Sequence, residues 1–128
     1  MKEFLVFTST EGDVRVDVRI AKETLWLTQK LIAHLFDCSS DNVSLHLKNI
    51  FTSRELDQNS VTEEFSVTAF DGKKYDANHY NLDAIIAVGY RVNSHRATQF
   101  RQWATEQLRK YIIKGYVLDK ERLKNGPL

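Results

Sequence analysis

The stretch TQKLIAHLFDCSSDNVSLHLKNIF, residues 28–51, decides how the chain is read. Leu31, Ile32, Leu35 and Phe36 recur at the three-and-four spacing of a helix, and Thr28 stands where a side-chain oxygen can cap the first free N–H groups. Asp37-Cys38-Ser39-Ser40 breaks the pattern. Ser39 or Ser40 can then cap a second helix with the apolar stripe Val43, Leu47, Ile50 and Phe51. Two short helices joined by about four residues predict a helix-turn-helix-like unit at 28–51. Ala33 fits the place where two backbones cross closely, and Val43 can pack back from the start of the second helix.

The positions left outward on that second helix are Ser40, Asn42, Ser44, His46 and Lys48, with Asn49 beside them. They are short donors and acceptors, or cations, the types that reach base edges and phosphates in a major groove. Thr28 and Gln29 fall at the amino end of the first helix, a usual place for a phosphate contact. Three residues oppose this reading. Asp37 stands where such a turn usually has glycine, Asp41 puts an acid on the reading helix, and Leu45 lies off the buried stripe.

Before this unit, Phe4 and Val6, then Val14, Val16, Val18 and Ile20, fall at period two around a turn at Thr10-Glu11-Gly12-Asp13, so residues 3–20 predict a hairpin with one buried face. Thr24-Leu25-Trp26-Leu27 leads into the first helix. After the unit, residues 55–60 are a polar loop. Val61, Phe65, Val67 and Ala69 then run to Asp71-Gly72, a two-residue hairpin signal, followed by Lys73 to Tyr80, with Glu63, Glu64 and Asp76 solvated. Asn81 caps a helix with Leu82, Ile85, Ile86 and Tyr90 facing inward, and Gly89 marks its end or a close helix contact. The longest helix has the stripe Ala97, Phe100, Trp103, Ala104, Leu108, Tyr111 and Ile112, with Gly115 to end it. Residues 119–128 have room for one more turn before Asn125-Gly126-Pro127. The expected class is α+β, a single domain over 1–128 with two small antiparallel β-hairpins, a helix-turn-helix and a long carboxy-terminal helix.

Composition narrows the partners. Of the 128 residues, 42% are hydrophobic and 27% charged, with one proline and five glycines, which excludes a collagen-like or low-complexity chain. No apolar run approaches the roughly 20 residues of a membrane helix. Met1-Lys2-Glu3-Phe4 is not a signal peptide, and the lone Cys38 suits a reducing compartment, so the expected location is cytoplasmic. The net charge of +1 hides segregation: residues 55–83 hold seven acids against two lysines, and residues 91–114 hold six bases against Glu106. A one-sign field on one element can hold phosphates even in a neutral chain. Arg91, Arg96 and Arg101 are the candidates, Arg96 and Arg101 falling off the apolar stripe. Their alternative role is pairing with Glu63, Glu64 and Asp76.

Little in the sequence suggests chemistry. Among His34, His46, His79 and His95, only His34 with Cys38 has helical ligand spacing, and zinc needs three or four ligands. No basic neighbour lowers the Cys38 pKa, no glycine-rich phosphate loop exists, and the carboxylates alternate as on a solvated face. No metal, cofactor, catalytic residue or small-molecule substrate is expected, and the protein is not expected to be an enzyme. Trp26, Trp103, Phe100, Tyr90 and Tyr111 read as core rather than as base-stacking platforms.

The chain also resembles a family. Trp26-Leu27-Thr28-Gln29, Ile32-Ala33, Leu35-Phe36, Val43-Ser44, His46-Leu47-Lys48-Asn49-Ile50 and Glu55-Leu56 resemble the amino-terminal region of the bacterial virulence RhuM family. Tyr80-Asn81-Leu82-Asp83, Val88-Gly89-Tyr90-Arg91-Val92-Asn93-Ser94 and Ala97-Thr98-Gln99-Phe100-Arg101-Gln102-Trp103-Ala104 continue the match. The resemblance implies a DNA-binding protein linked to virulence islands and mobile elements, with no established catalytic residues. It also implies the amino-terminal part of a longer member. More distantly, Phe100, Trp103, Leu108, Ile112, Gly115 and Tyr116 are similar to the closing helix of the Bro-N domain of phage antirepressors. The expected partner is double-stranded DNA, read by the helix from Ser40 to Ile50 with the three arginines on the backbone. A homodimer reading two half-sites is an expectation of this reading. The rival expectation is a protein-protein interaction module with no nucleic-acid role.

Overall fold

The computed structural model describes residues 4–125, with side chains described up to residue 110. The elements run β1 (Phe4–Thr8), β2 (Arg15–Ala21), β3 (Thr24–Thr28), α1 (Gln29–Phe36), α2 (Ser40–Thr52), α3 (Gln58–Val61), β4 (Thr62–Thr68), β5 (Lys74–Asn81), α4 (Leu82–Arg91) and α5 (His95–Asn125). The class is α+β. The two expected hairpins do not stand apart: they join into one antiparallel five-stranded sheet of order β1-β2-β3-β5-β4.

The joint is β3, a stretch whose sequence pattern shows only a lead-in to the helix. Arg19 pairs with Trp26 on one side, and Leu27 with Tyr80 on the other. Leu25 and Leu27 are buried under the helices, while Trp26 is buried on the opposite face, so the strand shows no alternation of apolar and polar residues to betray it. Lys22 and Glu23 both take positive φ (50° and 64°) to turn β2 back into β3.

The helices cover one face of the sheet. Phe7, Val16, Val18, Leu25 and Leu27 meet Ile32, Leu35 and Phe36 of α1, Val43, Leu47 and Ile50 of α2, Ala84, Ile85 and Val88 of α4, and Ala97, Phe100 and Ala104 of α5. Each large apolar side chain withdrawn from water stabilises this layer by about 1.5–3 kcal/mol. Phe7 sits edge-on to both Phe100 and Trp103, with centroids 5.2 and 5.3 Å away. On the other face a smaller cluster forms. Phe65 lies edge-on to Trp26 and to buried His79 (5.3 and 5.1 Å), and the Arg19 guanidinium lies over the rings of Phe4 and Phe65.

Several sequence expectations are corrected. In β1 it is Phe7 that faces the core, and Phe4 and Val6 point outward, because β1 is apolar on both faces and its register against Val16 and Val18 sets which is buried. Val61 ends the short helix α3 instead of opening a strand. The second hairpin closes through three residues, Phe70-Asp71-Gly72, with Ala69 N–H donating to the Lys73 carbonyl (2.7 Å) and Gly72 at φ +86°. That is the turn-plus-left-handed-residue loop, which glycine accommodates without strain. Tyr90 is exposed, since the buried stripe of α4 runs through Ala84, Ile85, Val88 and Gly89. Gly115 does not end α5, whose backbone stays helical to Asn125; one internal glycine costs a helix only about 1 kcal/mol. The side chains of Tyr111, Ile112, Lys114 and Tyr116, and Gly126-Pro127 entirely, lie outside the described residues.

Candidate nucleic-acid interface

The helix pair is built by local hydrogen bonds at each junction. Thr28 Oγ1 accepts the Leu31 N–H at 3.3 Å and caps α1. At the other end Asp37 adopts the left-handed region (φ 53°, ψ 53°), its N–H reaching the His34 carbonyl while the Cys38 N–H reaches that of Ala33 at 3.0 Å. These two bonds terminate the helix in a Schellman turn, and aspartate is among the few non-glycine residues that enter this conformation readily. The acid at this place is thus compatible with the turn. Ser39 Oγ accepts the Asn42 N–H at 3.0 Å and caps α2, while Asp41 in its first turn faces the positive end of the helix dipole.

Gln29 fixes the angle between the helices. Its Nε2 donates to both the carbonyl and the hydroxyl of Ser40, each at 2.9 Å, so the amino ends of α1 and α2 are tied across the turn. Val43, Leu47 and Ile50 hold α2 to the core, with Ala33 buried on α1 and Phe51 partly buried. The outer surface of α2 then falls into two polar stripes. Ser40, Ser44 and Lys48 are exposed on one flank; Asn42 and His46, both half-buried, and exposed Asn49 lie on the other. Leu45, 54% exposed, stands on the crest between them. His46 Nδ1 is buried without a hydrogen-bond partner among the described residues.

The Ser44–Lys48 flank borders a cavity of about 270 Å³ lined by Gln29, Leu47, Phe51, Thr52, Gln58 and Tyr80. Phe51 and Tyr80 stack on its wall, 6.4 Å apart and 23° from parallel, and burial pushes the Tyr80 phenol up. Thr52, Gln58 and Tyr80 escape a reading of the sequence, because they come from three elements that only the folded sheet brings together. Lys30 and Arg54 escape it as well. Both are exposed and, like Lys48, take part in no ion pair among the described residues.

The three arginines fare differently from one another. Arg91 Nη2 lies 3.0 Å from Glu55 Oε1, bringing the end of α4 beside the segment that follows α2. Arg96 turns inward with its side chain 12% exposed: Nη2 meets Asp13 Oδ2 at 2.7 Å and Nη1 donates to the Leu35 carbonyl at 3.3 Å. Arg101 is exposed on α5 and has no ion pair among the described residues. None pairs with Glu63, Glu64 or Asp76; Glu63 is held instead by Lys22 at 2.8 Å. Among the described residues no group of three or more His, Cys, Asp or Glu side chains gathers as a metal site. The half-buried Cys38 thiol is pushed up, by burial first and by Asp37 second. No described helix is long and apolar enough to cross a membrane.

Fold and surface together define an α+β domain that carries a locked helix pair on one side of its sheet. Residues 60–128 match the family model described as Virulence protein RhuM family, so the chain belongs to that family. The match takes in β4, β5, α4 and α5, and leaves α1 and α2 before it. No curated protein and no solved structure matches the chain.

Proposed function

We propose that this domain binds double-stranded DNA, with α2 entering the major groove and α1 lying across the backbone. The observation that carries the reading is the outer surface of α2. A helix fixed at its amino end by Gln29 and Ser39 turns short polar side chains and Lys48 to solvent, and Lys30 on α1 and Arg54 just after α2 are also exposed, both outside any ion pair among the described residues. On this reading Ser40, Asn42, Ser44, His46 and Asn49 serve base edges and phosphates, and Thr28 and Gln29 hold the backbone-facing end in register. Arg101 supplements the phosphate contacts, Arg91 does so on release from Glu55, and Arg96 contributes through the fold. A role in transcription or in a mobile element fits this activity, as the family resemblance implies, and a cytoplasmic location fits the lone Cys38.

Binding to a random fluorescent duplex, followed by anisotropy across a salt series, tests it. Replacing Lys30, Lys48 and Arg54 with alanine is expected to lower the slope of log affinity against log salt by about one unit for each phosphate that is no longer neutralised. Replacing Asn42 and His46 is expected to change which sequences are preferred and to leave that slope alone. A slope unmoved by the three cation changes contradicts the proposal.

A second reading, a protein-interaction module, is favoured by exposed Leu45 and by the neutralisation of Arg91 and Arg96 by Glu55 and Asp13. It predicts loss of a protein partner on Leu45→Asp, with no duplex binding to lose.

A further inference from the structure

Among the described residues neither edge strand of the sheet, β1 or β4, has a second strand partner, and the two edges are built in opposite ways. Open edges invite pairing with other chains, and proteins blunt them with charge, proline or bulges. The β4 edge is blunted: it carries Glu63 and Glu64, Glu63 is tied to Lys22, and the Ser66 carbonyl already accepts from Arg19 Nη2 at 3.0 Å. The β1 edge, Phe4-Leu5-Val6-Phe7-Thr8, has no charge, proline or glycine in it. Its outward side chains Phe4 and Val6 are 45% and 44% exposed. The strand is nevertheless anchored to the core, with Phe7 edge-on to Phe100 and Trp103.

We propose that β1 is a self-pairing edge, and that its occupant is β1 of a second copy of this chain, antiparallel about a two-fold axis at Val6. That register sets Phe4 against the second copy's Thr8, Leu5 against its Phe7, and Val6 against its Val6. Every side chain keeps its face of the sheet, and the two sheets become one. The strand suits its own copy because an uncharged sequence places no like charges opposite each other, whatever the symmetry. Pairing through one patch on both partners closes after two chains, and the blunted β4 edge stops further growth into a fibre. A five-residue strand makes a small interface, so the dimer is expected to be weak and to depend on concentration. Nothing in this pairing depends on what α2 binds.

Sedimentation velocity from roughly 1 to 200 micromolar is expected to show the wild-type chain passing from monomer to dimer. Val6→Lys and Val6→Glu, each placing like charges across the axis, are expected to stay monomeric alone. An equimolar mixture of the two is expected to recover the dimer. Circular dichroism and thermal melting check that both variants keep the fold. As a measurement that does not depend on charged variants, Val6→Cys in a Cys38→Ser background is expected to form a disulfide-linked dimer on mild oxidation, whereas Glu64→Cys in the same background does not. A wild-type chain that is monomeric throughout overturns the proposal. So does a dimer that survives both charge variants, or equal cross-linking at positions 6 and 64.

Discussion

A single side chain shows how far apart in sequence the decisive contacts lie. Arg96 stands off the apolar stripe of α5, which is why it reads as a free cation, yet its partner Asp13 is 83 residues earlier, at the turn between β1 and β2. With its second hydrogen bond to the Leu35 carbonyl it joins the first hairpin, the end of α1 and the start of α5. Removing it leaves a polar carbonyl short of a donor in a half-buried place, and Arg96→Ala is expected to lower stability by about 1–3 kcal/mol in urea denaturation while leaving the salt slope of any duplex binding unchanged. His79 offers a titration at the same scale. Burial, with Arg19 nearby as a smaller influence, holds its imidazole below the ordinary 6.5, against the pull of the Ala77 carbonyl. The unfolded chain therefore binds more protons than the native one in the window just under that value. Stability from this residue is complete above about pH 6.5 and is lost as pH falls through the window. The melting temperature is expected to decline as pH drops from about 7 to about 5.5, and to decline less in His79→Gln.

Among the elements, those carried by a period are legible in the sequence and those carried by partners are not. The helix pair can be read from Leu31 to Phe51 because its apolar stripe and its two caps are local properties of the chain: Thr28 caps as expected, and of the two candidates Ser39 and Ser40 it is Ser39 that caps. The strand β3 cannot, because Leu-Trp-Leu is buried on both faces and a doubly buried strand carries no period. Phe4 and Val6 have the expected period and the opposite face, since which side of an all-apolar strand is covered depends on helices far along the chain. Gly89, by its sequence either a helix end or a close contact, is the contact: a Cβ there would lie 2.6 Å from Ala97 Cβ and 2.8 Å from Phe36 Cζ. Gly89→Ala gains helix propensity but forces α1, α4 and α5 apart, and a net loss of about 1–3 kcal/mol is expected by denaturant unfolding. Ala97→Gly in the same chain is expected to recover part of that loss by vacating the nearer contact.

For the whole molecule, charge segregation along the sequence is a poor map of charge on the surface. The acidic and basic blocks do meet, but through Glu55 and Arg91 alone among the described ion pairs, while Arg96 reaches back to the first hairpin. Exposed cations of the helix pair that join none of the described ion pairs come from outside both blocks: Lys30 on α1, Lys48 on α2 and Arg54 just after it. The helix layer thus presents one polar helix with cations around it, and the opposite face of the sheet presents aromatics around Arg19 and the uncharged β1 edge. On the two proposals, nucleic acid engages the helix side and a second copy engages the edge. This division is tested most directly by following backbone amide resonances of the isotopically labelled protein while a short random duplex is added at low salt. Shifts concentrated in residues 28–31 and 40–54, with the outer-face residues Phe65, Tyr75 and His79 unmoved, are the predicted result. Shifts confined to the outer face of the sheet, or no shift at any duplex concentration, would contradict it.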